Sequence, residues 1–419
     1  MPGHGDHQRQ SSSSHATDDD GVAPEPDSDG RHPMRSMPPA LPFDIEAIER
    51  ELARLWQSAP MADRRNELAL SRTSVLTLFV YAPDTSRADT ARDLISRLSM
   101  HHPSRVVLLV TSRQEPLEEP QISIQCNLGI AERYAPCYEQ ITITLPSDGM
   151  ELLPSLLIPL ALPDLPAFLW WLGPLPCHDR RFVAVARAVD RLIFDSLESP
   201  HPIADIIATR RLVQQVARST AVSDLNWGRL GPWQETTARM FEIPHCRWAL
   251  DAITRVDLRY GYAPQRSTPN PTQALLYLGW MASRLGWRLA SLEADGNSWR
   301  LDLTAPGNRR LNWTIAPQPS EELFHGQLVH VSFVAEHNHE TASFSIDLSG
   351  HDRATLRLRV HDRNHCVLEH AFHHHLLDLQ RLLINELQEV APDWLYEHAL
   401  DEATAIAVEY RKLERQKEH

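Results

Sequence analysis

The sequence predicts an α/β domain followed by an α+β domain built on an antiparallel sheet. Three observations lead there. Two continuous apolar runs of strand length, VLTLFVYA (Val75–Ala82) and RVVLLVT (Arg105–Thr111), flank the helical pattern ADTARDLISRLSMHH. Such a βαβ unit implies parallel pairing and a right-handed crossover. From Trp287 to about Phe372, apolar residues recur with period two in six runs, the pattern of strands with one wet face. The junction after the first strand, PDTSRADT, contains no glycine. The first domain therefore has Rossmann-like layering without the Gly-rich loop that lets backbone approach a pyrophosphate.

The elements follow in order. Residues 1–40 are Ser, Asp, His and Pro with almost no large apolar side chains, and are expected to be a disordered low-complexity tail. Residues 41–245 form the α/β domain. It opens near Asp44 with FDIEAIERELARLWQSA, where Ile45, Ile48, Leu52, Leu55 and Trp56 share helical spacing. After the βαβ unit come the short strands ISIQCNLG and ITITLP, a helical stretch GMELLPSLLIPLAL, and the strand PAFLWWLG. FVAVARAVDRLIFDS reads as a helix running into a strand, and DLNWGRLGPWQETTARMF (Asp224–Phe241) as a loop followed by a helix with Pro232 in its first turn.

Residues 246–400 form the α+β domain. TRVDLRYG is a strand, and NPTQALLYLGWMASRLG is a helix capped by Asn270, opened by Pro271 and closed by Gly286. The period-two runs come next, and LLDLQRLLINELQEV is expected to return as a helix over the sheet's apolar face. Residues 401–419 are the charged end of a C-terminal helix.

Composition excludes several classes of function. The 419 residues hold 41 basic and 55 acidic side chains, a formal charge of −14. Nucleic acid or an anionic membrane surface would need a concentrated basic face. No apolar run reaches eighteen residues and the N-terminus has no secretory h-region, so a cytoplasmic protein is expected. Five scattered cysteines without C-x-x-C suggest reduced thiols, with Cys126 and Cys137 buried and inert unless they come close enough for a redox pair.

Catalytic and cofactor signals are missing. There is no G-x-x-x-x-G-K-[ST], no G-x-S-x-G and no distinct acid–base pair. No enzyme, no cofactor and no metal are expected. Arg87 and Arg92, beside the first crossover helix, are read as solvated surface rather than an anion site. The run HCVLEHAFHHHLLDL holds His365, Cys366, His370, His373, His374 and His375. It lacks an ordered zinc spacing and lies at a strand-to-helix junction, so a solvent-exposed role is favoured over a metal site.

Aromatic density remains. LPDLPAFLWWLGPLP (Leu162–Pro176), RLIFDS (Arg191–Ser196) and DLNWGRLGPWQE (Asp224–Glu235) are rich in tryptophan and rigid turns. Adjacent strand residues point to opposite faces. Trp170 and Trp171 are therefore both core in a strand covered on both sides, or one of them shapes a functional surface. Asp224, Asn226 and Arg229 stand among Trp227, Leu230 and Trp233, either cross-linking a loop or forming an anchored recognition surface.

In that order, the three segments resemble the glucose-6-phosphate dehydrogenase assembly proteins of the OpcA type. The upstream SVLTLFVYA…HHPSRVVLLV is similar as well. The resemblance covers about Arg72 to Phe241 well and the later sheet only in general layout. It departs at Gln234, where a basic residue is expected after the second loop tryptophan. It implies a non-enzymatic partner of glucose-6-phosphate dehydrogenase that favours the dehydrogenase's active oligomer and so raises flux into the oxidative pentose phosphate pathway and NADPH supply. In cyanobacterial relatives it also implies a link to thioredoxin. The partner-binding candidates are Asp164, Trp170, Trp171, Asp224, Asn226, Trp227, Arg229 and Trp233. The alternative is a sensor or enzyme for a sugar phosphate or nucleotide, using the strand ends of the α/β domain as its pocket.

Overall fold

A computed structural model describes residues 44–58, 69–72, 74–99, 101–113, 118–126, 134–266, 268–321, 324–349, 355–362, 365–373 and 378–417. The expected N-terminal tail, His374 and His375 lie outside them. Helix α1 (Ile45–Ser58) turns Ile48 and Leu52 inward. The first sheet is built from β1 (Ala69–Arg72), β2 (Leu76–Ala82), β3 (Ser104–Ser112), β4 (Gln121–Cys126), β5 (Tyr134–Pro146), β6 (Ala167–Trp171), β7 (Arg191–Phe194) and β8 (Ala221–Asp224). Their order is β1-β5-β3-β2-β6-β7-β8, and all pairs along it are parallel. β4 adds to β5 in the antiparallel sense. β2 and β3 are joined by α2 (Thr85–Leu98), which Asp84 caps by accepting from the Arg87 N–H.

β5 starts well before the expected ITITLP. The ladder places Cys126 directly opposite Cys137, and Cys137 is disulfide-bonded. This corrects the expectation of five reduced thiols, which rested on the scattered spacing and the absence of C-x-x-C in the sequence. Cys177 and Cys246 are free.

Further helices are α3 (Leu153–Leu160), α4 (Phe182–Ala186), α5 (Pro202–Val216), α6 (Leu225–Gly228), α7 (Gly231–Glu242), α8 (Arg247–Leu250) and α9 (Thr272–Leu285). The loop expected after Asp224 is in fact helical: Asp224 caps α6 through the Asn226 N–H, which winds the short motif into a turn. Gly286 ends α9 in the left-handed region at φ 66°, as the sequence implies, whereas Pro271 rather than Asn270 stands at the N-cap, with Asn270 one residue before it accepting from the Thr272 N–H at 3.0 Å.

The second sheet comprises β9 (Ile253–Tyr262), β10 (Arg288–Asp295), β11 (Ser298–Ala305), β12 (Arg309–Pro319), β13 (Leu328–His337), β14 (Glu340–Ser349), β15 (Thr355–Asp362) and β16 (His365–His373). The order is β10-β11-β12-β9-β13-β14-β15-β16. Every pair is antiparallel except β12–β9. The period-two reading is visible in Leu301, Leu303, Leu311, Trp313, Ile315, Val331, Phe333, Phe344 and Ile346, all buried on one face.

One expectation fails instructively. The helix after β16, α10 (Leu379–Gln388), does not cover the second sheet. Its Leu382, Leu383 and Leu387 enter a core with Leu78, Val80, Leu108, Phe168, Trp170 and Ile193 of the first sheet. It packs there beside α2 and α6. The second sheet is covered by α7, α8, α9 and α11 (Trp394–Lys417) instead. Amphipathicity gave α10 an apolar face but not the sheet that receives it. α11 runs unbroken to Lys417 and packs on α9, α5 and β10. It approaches α9 closely at Gly279, where an added Cβ would stand 2.1 Å from the Ala399 carbonyl oxygen.

Candidate partner interface and the polar network behind it

β6 is buried on both faces, so its adjacent tryptophans enter different layers. Trp170 packs with Val80, Leu108 and Ile193 toward α2 and α10. Trp171 packs on the other side, stacked on Tyr81 with ring centroids 3.7 Å apart and edge-on to Phe182 at 4.8 Å. Its Nε1 donates to the Pro174 carbonyl at 3.1 Å. Both are core, and neither offers side-chain surface to a partner. Covering a strand on both sides removes from view the aromatic surface that the sequence left open. Asp164 is exposed in the turn before β6, at φ 62°.

The other candidates come together at the carboxyl ends of β7 and β8. Asp195 follows β7 and accepts both guanidinium nitrogens of Arg229, at 2.8 and 2.6 Å. Asp224 ends β8 and accepts from the backbone N–H groups of Ser196 and Asn226 at 3.0 and 2.9 Å. Asn226 donates to Ser196 Oγ at 3.1 Å and accepts at Oδ1 from Gln273 Nε2, also at 3.1 Å. Gln273 in turn accepts from the Leu328 N–H of the second sheet. Asn270 donates to the Ser196 and Leu197 carbonyls. RLIFDS, DLNWGR and the start of α9 are thus one hydrogen-bonded unit.

Burial shapes its charges. Asp224 is 2% exposed, and desolvation, with the Asp195 carboxylate beside it, pushes its carboxyl up to about 7. Burial also raises Glu198, which accepts from Arg87 at 3.0 Å. For Arg229 the adjacent carboxylate outweighs desolvation, and its pKa is raised. Arg87 pairs with Asp84 and Glu198, and Arg92 with Asp89. A cavity of about 20 Å³ adjoins the network, walled by Phe194, Ser196, Asp224, Thr272 and Tyr396 among others. It has room for about one water-sized group.

Trp227 leads outward from this network. Its indole Nε1 donates to Asp393 Oδ2 at 2.7 Å, and its ring lies 5.8 Å from that of Tyr396. The other Asp393 oxygen caps α11 by accepting from the Leu395 and Tyr396 N–H groups. Trp394, at the first position of that helix, is 53% exposed, and nearby Val390 is 56% exposed. The Arg284 guanidinium lies 5.3 Å from the Trp394 ring centroid and His398 approaches it edge-on. Between α10 and α11 opens a groove of about 360 Å³ lined by Arg191, Trp227, Glu386, Glu389, Asp393 and Trp394, among others. Arg191 is its one basic lining residue, and is spent internally on Glu386, Ser223 and the Ala391 carbonyl. Desolvation lowers the Arg191 pKa and raises that of Glu386. Trp233 lies inward, fully packed, while the Gln234 Nε2 is buried without a partner. Trp394 and Val390 were missed because an exposed apolar residue at a helix start, or in the connection before it, carries no periodic signature.

The histidines of β16 that can be described, His370 and His373, are exposed. Among the described residues, the group with metal-ligating geometry is instead Cys177, His178 and Asp205. Burial, with Asp205 adding to it, pushes the Cys177 thiol up to about 11.

Residues 79–211 match the profile described as the glucose-6-phosphate dehydrogenase subunit N-terminal domain, and residues 220–400 match the corresponding C-terminal domain. The chain belongs to the OpcA family. Together the matches cover well over half of it, and they include the strands from β3 to β16, α10 and the start of α11. A protein named OxPP cycle protein OpcA from Synechocystis is 30% identical over 244 residues, 57% of this chain and 49% of the relative. Its namesake from Synechococcus elongatus is 30% identical over 225 residues, 53% of this chain and 48% of the relative. The match spans about half the length of these curated relatives. Among solved structures, a 3-ketoreductase from Actinomadura kijaniata, solved with NADP, overlaps 79% of this chain and 95% of its own at 11% identity, with a TM-score of 0.47. An overlap at that TM-score says nothing about chemistry. No described helix is long and apolar enough to cross a membrane.

Proposed function

We propose that this protein is a non-catalytic partner of glucose-6-phosphate dehydrogenase, binding it in the cytoplasm and favouring its active oligomer. The observation that carries the reading is the match of both halves of the chain to the dehydrogenase-subunit family. The groove between α10 and α11 is the proposed contact surface. It carries an exposed tryptophan and an exposed valine at its rim, the kind of aromatic anchor that dominates interface energetics. The polar network behind it, from Arg229 and Asp224 through Trp227 to Asp393, holds the start of α11 in place. In this reading the motif residues act as positioning residues, and Trp394 makes the contact.

Glu389 and Asp393 make the groove acidic, so the partner's facing surface is basic, and association slows as salt rises. Activation follows if the protein binds the oligomeric state of the dehydrogenase more tightly than the dissociated one, since only a difference in affinity moves a population. The alternative of a sugar-phosphate or nucleotide pocket at the strand ends is less favoured: the cavity beside Asp195 and Asp224 is about 20 Å³, and in the larger groove that reaches Ser223 and Asp224 the one basic lining residue, Arg191, is already paired with Glu386, while Glu389 and Asp393 would repel a phosphate. The test is the affinity of the dehydrogenase for this chain and for its Trp394→Ala variant. Equal affinities would move the interface elsewhere.

A further inference from the structure

The loop after β6 carries Cys177 and His178, and Asp205 stands in the first turn of α5. No spacing rule connects them, yet the fold brings Cys177 Sγ, a His178 ring nitrogen and an Asp205 carboxylate oxygen all within 4.8 Å of one another. His178 Nε2 and Asp205 Oδ1 are 3.1 Å apart. We propose that Cys177 Sγ, His178 Nε2 and Asp205 Oδ1 bind one divalent transition-metal ion of the zinc class.

The donor set fits that chemistry. A thiolate, an imidazole and a carboxylate are all zinc ligands, and the mixture is softer than the all-oxygen sets that magnesium and calcium prefer. With bonds of about 2.0–2.3 Å, tetrahedral ligand atoms stand roughly 3.3–3.5 Å apart. The His–Asp pair is already near that separation, and the thiol closes the remainder by a small side-chain adjustment. On binding, the Cys177 S–H bond breaks, its proton leaves to solvent and a metal–sulfur bond forms. The two anionic ligands then neutralise the dication.

Supporting groups are in place. Ser199 Oγ donates to the second oxygen of Asp205, which fixes the carboxylate as outer partners of metal ligands do. Cys177 is half buried. His178 has a side chain 62% exposed, leaving the fourth position open to water. The ion would pin the loop following Trp171 to α5.

The test uses the untagged full chain, stripped with chelator and titrated with cobalt(II), the probe for the zinc class, with stoichiometry read by native mass spectrometry. The chain carries 22 histidines, so the diagnostic signal is the thiolate-to-cobalt charge-transfer band rather than binding alone. The result expected is one equivalent with that band, loss of the band in Cys177→Ser, and weakening of roughly 10–100-fold in Ser199→Ala. His178→Ala removes an exposed ring, so the variant stays folded and still loses the site. Equimolar binding without the band, a band that survives Cys177→Ser, unchanged binding in folded His178→Ala, or no binding at all would each overturn the proposal. The pair His178–Asp205 would then be an ordinary surface ion pair.

Discussion

Replacing Asp224 by asparagine isolates the electrostatic cost of the buried network. Asp224 is buried at the end of β8, with its Oδ1 accepting two backbone N–H groups. An asparagine oxygen can keep both bonds. The carboxyl is pushed up to about 7 in the fold, against about 3.9 in an unfolded chain. Between those values the folded protein holds a proton that the unfolded chain has lost, so stability falls as pH rises. The slope is about 1.4 kcal/mol per pH unit. Below about pH 4 both states are protonated and above about pH 7 both are ionised, so neither range adds a further change. The whole window is worth on the order of 4 kcal/mol, and the asparagine variant lacks it. Guanidinium unfolding of both proteins at about pH 5 and about pH 7 should show the variant gaining about 2–3 kcal/mol on the parent across that interval. A difference that stays flat, or one that moves in the parent's favour, would mean that Asp224 is ionised in the fold and paired with Arg229. The burial argument would then be wrong.

Three further outcomes follow from the same structure. Arg229→Ala leaves the Asp195 carboxylate without its bidentate partner and should cost about 3–5 kcal/mol in denaturant unfolding; a loss under about 1 kcal/mol would make the network ornamental to the fold. Trp394→Ala removes an exposed ring, so its melting temperature should match the parent while affinity for the dehydrogenase drops by about 30-fold or more; unchanged affinity removes the groove as the interface. Gly279→Ala drives a methyl into the Ala399 carbonyl and should cost about 1–3 kcal/mol by separating α9 from α11, measured by urea unfolding; a neutral result would place the two helices farther apart than described.

Local pattern made much of this fold legible. The apolar runs at Val75–Ala82 and Arg105–Thr111 are neighbouring parallel strands, and each period-two run after Trp287 falls on a strand. The motif residues also gather as a group, since Asp224, Asn226 and Arg229 join Ser196 and Asp195 in one network. What pattern could not supply was the partner of each face. Trp227 meets Asp393 across 166 residues of chain, and α10 crosses back to the first sheet. Neither pairing has a local signature, because it depends on which apolar surface remains uncovered once the sheets form. For the same reason Trp170 and Trp171, conspicuous in the sequence, are packing residues, whereas Trp394 attracts no notice in the sequence and is half exposed.

The proposed function is tested most directly by titrating the cognate glucose-6-phosphate dehydrogenase, at limiting concentration, with this protein while initial rate and light-scattering mass are recorded together. A saturating rise in rate, accompanied by a defined mixed complex, is the predicted result. Folded proteins that give neither a rise in rate nor a complex would contradict it.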